Sequence, residues 1–187
     1  MHIIDEITNL PNRNLFKDRF KIAVEHAKRN NKKIMIAMID FDKFKKVNDR
    51  HGHDIGDKLL KNYAARIKKL VRKTDTFARF GGDEFIMFLS DFYNTEDMKK
   101  SAEKITDAFK EPFTIGKLKL KITGSMGISV YPDDAVNQSD LVKFADAAMY
   151  DSKKNAGLKY QFYFNLKTKK SRNKKDDIEE LTVIKPD

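Results

Sequence analysis

The chain is expected to fold as an α/β domain, a mixed central sheet of about five strands flanked by helices on both faces, with one β-hairpin at the functional rim. Three patterns predict it. Segments with apolar residues at helical spacing alternate with short apolar runs. One run, Ile34 to Ile39, is continuous, the mark of a strand buried on both faces, and it stops at Asp40. Two β-favouring runs, Thr76–Phe80 and Phe85–Leu89, flank the tight turn Gly81-Gly82-Asp83-Glu84.

The elements follow in order. Leu15 to Lys28 carries Leu15, Phe16, Phe20, Ala23, Val24 and Ala27 at helical spacing, and Asn30-Asn31 ends it. After the Ile34–Ile39 strand, Asp54 to Val71 returns to helical periodicity through Ile55, Leu59, Leu60, Tyr63, Ile67 and Leu70. The hairpin comes next. Thr95 to Phe109 reads as a helix closed by Glu111-Pro112. Phe113–Ile115 and Lys117–Thr123 read as a small hairpin turning at Gly116 and running into a strand through Tyr131. Ser139 to Ser152 is a helix, and the alternating Tyr160–Phe164 is a last, edge strand. Residues 1–164 thus form the domain. From 165 to 187 charges crowd together, as in a linker or a marginal helix.

Composition narrows the class. A chain of 187 residues with 40% hydrophobic content can bury a real core. No apolar run approaches the roughly 20 residues a membrane helix needs, and Met1 to Glu6 lacks the pattern of a signal peptide. With no cysteine, disulfides and thiolate metal sites are excluded, which fits a reducing cytoplasm. The formal charge of +10 comes from lysines spread over helical segments and the tail. No basic stripe is interleaved with aromatics, so a solvated surface is the better reading than a nucleic-acid footprint.

The chemistry concentrates at two places. Adjacent acids at a hairpin tip, beside glycines that expose backbone N–H groups, suit a divalent cation and a bound phosphate. Asp40 ends a buried strand, where sheets of this kind place ligands. If that strand pairs beside the hairpin, Asp40 and Asp83 meet at one rim. Read alone, Asp40 is a cap or a surface charge; paired with Asp83 it becomes half of a metal site.

The run Ile39-Asp40-Phe41-Asp42-Lys43-Phe44-Lys45-Lys46-Val47-Asn48-Asp49-Arg50-His51-Gly52-His53-Asp54-Ile55-Gly56-Asp57, with Gly81-Gly82-Asp83-Glu84-Phe85, resembles the GGDEF family of diguanylate cyclases. Asp5–Arg13, Ser125–Ser129 and Ala145–Tyr150 are similar to further blocks of that family, in order and at its spacing. Such enzymes condense two GTP into cyclic di-GMP and release pyrophosphate. The resemblance implies Mg²⁺ (or Mn²⁺) on Asp40, Asp83 and the Phe41 carbonyl, with Glu84 as a second-metal or proton-handling group or a solvated charge. It implies guanine reading by Asn48 and Asp57, residue types that pair with the guanine edge and also cap helices. Lys43, Phe44, Lys45, Gly81, Gly82 and Lys153 fall where the family holds phosphates, Lys45 as a catalytic point charge. His51 and His53, flanking Gly52 in a helix-to-helix turn, read as packing or capping residues.

Arg72-Lys73-Thr74-Asp75 matches the family's product-inhibition motif, since a guanidinium stacks on guanine while an Asp pairs with its edge. Lys104 is a basic partner for it. After Tyr150 the chain keeps Lys153 but has no arginine near Gly157, where relatives grip the γ-phosphate. Lys154 and Lys159 are the remaining cations there. The resemblance further implies a homodimer in which each chain supplies half a site. Asn9-Leu10-Pro11 and the charged tail from Lys167 to Lys185 resemble the cyclase portion of a GGDEF–EAL composite. Its sensor and EAL domains would lie in a parent protein that can be membrane-attached. The rival reading is a GTP- or cyclic di-GMP-binding module that regulates a phosphodiesterase partner.

Overall fold

A single strand, β1 (Lys33–Phe41), organises the molecule, because six successive residues from Ile34 to Ile39 are buried on both of its faces. The computed structural model describes residues 3–155 and 159–168. Before β1 runs α1 (Arg13–Asn30); after it come α2 (Phe44–His51) and α3 (His53–Lys68). The hairpin strands are β2 (Thr76–Gly81) and β3 (Glu84–Phe92), followed by α4 (Thr95–Thr106). A short hairpin of β4 (Phe113–Ile115) and β5 (Leu118–Leu120) precedes β6 (Gly124–Tyr131), α5 (Gln138–Lys154) and β7 (Tyr160–Phe162).

The main sheet has five strands in the order β2-β3-β1-β6-β7. β1 is antiparallel to both neighbours, and β7 joins β6 in parallel, so the sheet is mixed as expected. Alternation along β1 divides the core. Ile34, Ile36 and Met38 pack with α1 and α5, whereas Met35, Ala37, Ile39 and Phe41 pack with α3 and α4. The second face is aromatic, built around the fully buried Tyr63, whose ring meets Phe41, Phe85 and Phe109 at 4.9, 5.1 and 4.8 Å. On the first face, Gly127 brings α5 close to the sheet: a Cβ there would lie 2.0 Å from the Met149 nitrogen.

Several expectations shift. The helix expected through Phe109 changes to a tighter 3-10 turn at Asp107–Phe109. The strand expected from Lys117 through Tyr131 is divided: β5 pairs only with β4, and β6 belongs to the main sheet. The edge strand expected over Tyr160–Phe164 ends at Phe162, and residues 163–168 are helical. Tyr163 stacks on Phe144 of α5 at 4.1 Å, with Lys167 above both rings, and these contacts outweigh the alternating pattern. The domain boundary expected after 164 therefore falls inside this helical segment. Residues 156–158, around the missing arginine, and 169–187 of the charged tail lie outside the described residues.

The N-terminal segment braces the hairpin. Asp5 accepts from the Thr8 N–H and hydroxyl at 2.8 and 2.7 Å and from Arg79 at 3.0 and 3.1 Å. The same Arg79 guanidinium donates to the Gly82 carbonyl at 2.7 and 3.1 Å. Its backbone N–H donates to Pro11. Burial alone would raise the Asp5 pKa, but the hydrogen bonds from Thr8 and Arg79 outweigh it and hold the carboxyl below the usual carboxylate range. Asp5→Ala leaves the buried Arg79 without its carboxylate. We expect it to cost about 2–3 kcal/mol, a fall of roughly 6–8 °C in melting temperature at neutral pH. Because the native carboxyl titrates low, wild type loses this contribution as pH falls below about 4. The gap between the two melting curves should close there; a gap that persists at pH 2 would rule the brace out.

Candidate functional site

Antiparallel pairing of β1 with β3 sets Asp40 directly across from Glu84, and pairing with β6 sets it across from Ser125. The turn residues Gly82 and Asp83 follow at once from β2. Gly81 and Gly82 have φ of +146° and +52°, conformations that side-chain-bearing residues seldom adopt, and the register slips between Arg79 and Gly81. This geometry brings the half-buried Asp83 carboxyl within hydrogen-bonding reach of Asp40. The other Asp40 neighbour is Lys153 of α5, whose ammonium donates to Oδ2. Oδ1 of Asp40 is buried and accepts nothing among the described residues.

Burial pushes the Asp40 pKa up to about 6; the Lys153 hydrogen bond opposes this and the Asp83 carboxyl reinforces it. A half-paired carboxylate facing another is a site that lacks positive charge. No three His, Cys, Asp or Glu side chains form a ready metal cage among the described residues. An all-oxygen set of one or two carboxylates with a backbone carbonyl, completed by phosphates and water, is what Mg²⁺ prefers. Asp40, Asp83 and the Phe41 carbonyl fit such an ion, with the exposed Glu84 beside them.

The loop from β1 into α2 is fastened at both ends. The Phe41 ring lies in the aromatic core, and Asp42 accepts from the hydroxyls of Thr123 and Ser125 at 2.6 and 2.8 Å. Lys43 takes a left-handed conformation (φ 61°) that turns the chain into α2, where Phe44 is buried and Lys45 exposed. The first N–H groups of α2 precede its i−4 ladder, and the Lys46 N–H turns back to the Lys43 carbonyl at 2.9 Å. Asn48 lies one turn further on. Its Oδ1 is buried, has no partner among the described residues, and packs against α3, where a Cβ on Gly56 would stand 1.9 Å from it. Asp57, half-buried, follows Gly56 on α3. The two residues expected to read guanine therefore come from facing helices. His51 and His53 end α2 and begin α3; the capping expected of them is done by the Gly52 backbone, whose N–H donates to the Asn48 carbonyl.

Arg72, Asp75 and Lys104 line one separate cavity of about 320 Å³, beside Ser90 and Ser101. Asp75 is committed within it: one carboxylate oxygen accepts from the Arg72 N–H at 2.8 Å, the other from the Ser90 N–H at 3.1 Å. Burial raises its pKa. The substitutes expected for the missing arginine point elsewhere, Lys154 over the Tyr150 ring and Lys159 toward Asp107. Four residues that shape the site, Asp5, Arg79, Asp42 and Gly56, carried no role in the sequence reading. Asp5 and Arg79 belong to quoted motifs, but their pairing spans 74 positions.

The protein-family model for the diguanylate cyclase GGDEF domain matches residues 2–158. MucR of Pseudomonas aeruginosa, a bifunctional diguanylate cyclase/cyclic di-GMP phosphodiesterase, is 39% identical over 159 residues, 85% of this chain but 23% of its own length. Among solved structures, the GGDEF domain of TpbB from the same organism superposes with a TM-score of 0.82 at 34% identity, covering 86% of this chain and 94% of that one. The GGDEF domain of DgcB from Caulobacter crescentus, in complex with cyclic di-GMP, gives 0.77 at 27% identity, covering 87% and 96%. The chain thus spans less than a quarter of the length of MucR.

The Asp40 environment makes a titration test. Its native pKa lies above its unfolded value, so ionising it between pH 4 and 6 costs the metal-free fold, and stability contributed by this group falls as pH rises through that window. Carboxyl-carbon NMR should place the Asp40 midpoint at about 6 in EDTA and lower it when Mg²⁺ is added. An ordinary midpoint near 4, unmoved by Mg²⁺, would contradict the site.

Proposed function

The chain belongs to the GGDEF family of diguanylate cyclase domains, and from that premise we propose that it condenses two GTP into cyclic di-GMP as a homodimer. The observation that carries the reading is the meeting of Asp40 and Asp83 at the rim of the sheet, with a buried Asp40 oxygen that accepts nothing among the described residues. Asn48 and Asp57 pair with the guanine edge, the Asp accepting from N1–H and the 2-amino group. The phosphates lie on the backbone N–H groups at Phe44 and Lys45, beside Gly81 and Gly82, with Lys43, Lys45 and Lys153 supplying charge. Mg²⁺ or Mn²⁺, when bound by Asp40, Asp83 and the Phe41 carbonyl, supplies positive charge for the α-phosphate oxygens.

In each of two steps the 3′-hydroxyl oxygen of one GTP bonds to the α-phosphorus of the other. The bond from that phosphorus to the bridging oxygen breaks, pyrophosphate leaves, and Glu84 accepts the hydroxyl proton. A regulatory module that binds GTP without turnover is the second reading, favoured by the lack of an arginine near Gly157. Sensor and EAL domains in a longer parent protein would then use the domain as a switch.

Two expectations follow. The full chain, fused to a dimeric coiled coil and given GTP with Mg²⁺, should release pyrophosphate and form cyclic di-GMP; Asp83→Ala should lower this at least a hundredfold while leaving the melting temperature within a few degrees. GTP binding by calorimetry with no product supports the module instead. We also assign the Arg72–Asp75–Lys104 cavity to cyclic di-GMP as a feedback site. Arg72→Ala should abolish the slowing of progress curves by added product and leave the initial rate unchanged.

A further inference from the structure

A broad cleft lies on the other side of the sheet rim from the Asn48–Asp57 pair. It opens between α1 and α5, holds about 710 Å³, and has Met38 and Phe80 at its base and Glu84 at its edge. Arg13 and Lys17 line it from α1, and Lys143 lines it from α5. The Arg13 guanidinium lies 4.8 Å over the Phe80 ring. Asp146 is the one further acid on its wall.

Strand parity explains why such a cleft adjoins the site. Side chains of Met38 and Asp40 leave β1 on the same face, as do those of Glu84 and Ile86 on β3, and this is the α1/α5 face. The Lys153 contact to Asp40 from α5 agrees. The guanine-reading pair, in contrast, sits on helices packed against the opposite, Phe41 face. A nucleotide held by Asn48 and Asp57 must therefore cross the rim of the sheet to bring its α-phosphate to Asp40. What approaches that phosphate in line from beyond it comes from the α1/α5 side. The reaction requires a second nucleotide there, and cations from both walls suit its phosphates.

We propose that the α1/α5 cleft receives the ribose and 5′-phosphate of the second GTP, carried on a second copy of the chain, with Arg13, Lys17 and Lys143 positioning it. This rests on the cyclase reading and adds its second-substrate site. The first nucleotide does not touch these cations, so they act on turnover and not on its binding.

The test compares Lys17→Glu/Lys143→Glu with wild type in the coiled-coil-fused dimer, measuring turnover at saturating GTP. Alongside, calorimetry with a non-hydrolysable GTP analogue on the unfused chain reports the first site. Lys117→Glu/Lys119→Glu, on the small β4–β5 hairpin, carries the same charge change away from the cleft. We expect a fall of about tenfold or more in kcat for the cleft variant, analogue affinity within twofold of wild type, recovery with Lys17→Arg/Lys143→Arg, and no change for the hairpin variant. Wild-type turnover in the cleft variant overturns the cleft assignment and leaves the cyclase reading intact. A parallel loss of analogue affinity overturns it too, because the cations would then serve the first nucleotide. An inert wild-type dimer overturns both.

Discussion

Two carboxylates held within hydrogen-bonding reach repel one another, and much of this fold exists to hold them there. Asp40 cannot retreat, because β1 is paired on both sides and buried on both faces. Asp83 could, since a two-residue turn between strands is the softest place on a sheet. Arg79 prevents it by gripping the Gly82 carbonyl beside Asp83, and Arg79 is itself anchored by Asp5. The chain from Asp5 to Asn12, which looks like a leader into α1, is thus the outer wall of the hairpin. Burial and the Asp83 carboxyl leave the Asp40 pKa raised, and a bound cation would lower it.

The sheet then separates two tasks. Its Phe41 face is packed with aromatics, rigid enough to fix α2 and α3 so that Asn48 stays in place. Gly56 is part of that fixing. Its missing Cβ is the space the Asn48 side-chain oxygen occupies, and the result is a buried amide oxygen with no partner among the described residues. A buried acceptor left open is costly in the empty protein and selective for a donor when one arrives. The α1/α5 face carries the acids and the cationic cleft. On the proposed reading, base identity and phosphate chemistry would be read from opposite sides of one strand end.

Residue pattern made much of this legible and sequence distance hid the rest. The continuous run to Asp40 and the two-glycine hairpin announced both the central strand and the acids at its rim, because burial on two faces and a tight turn each leave a local mark. The helix α2 left little mark. Only Phe44 and Val47 of its eight residues pack inward, and Lys43 begins it without a side-chain cap. Tyr160–Phe164 left a misleading one, since alternating aromatics suit a strand, yet Tyr163 is spent on a stack against Phe144. The Arg79–Asp5 and Lys153–Asp40 pairs join residues 74 and 113 positions apart, which no local pattern can show.

The Lys153 pair bears on how the site changes when it fills. In the structure the lysine answers one Asp40 oxygen while Asp83 crowds the carboxylate. An ammonium is a single charge on a flexible stem, so it compensates the pair only in part, and the raised pKa shows that burial still dominates. A divalent ion held by the same oxygens would bring twice the charge and would release the lysine. Released, Lys153 would remain at the end of α5 beside the rim, where the proposed triphosphate could take it as a partner. On the proposed reading, cation binding and triphosphate binding would be coupled through one side chain, since each would take a partner the other had been using. By reciprocity the coupling works in both directions: nucleotide that draws Lys153 away leaves Asp40 in greater need of the ion.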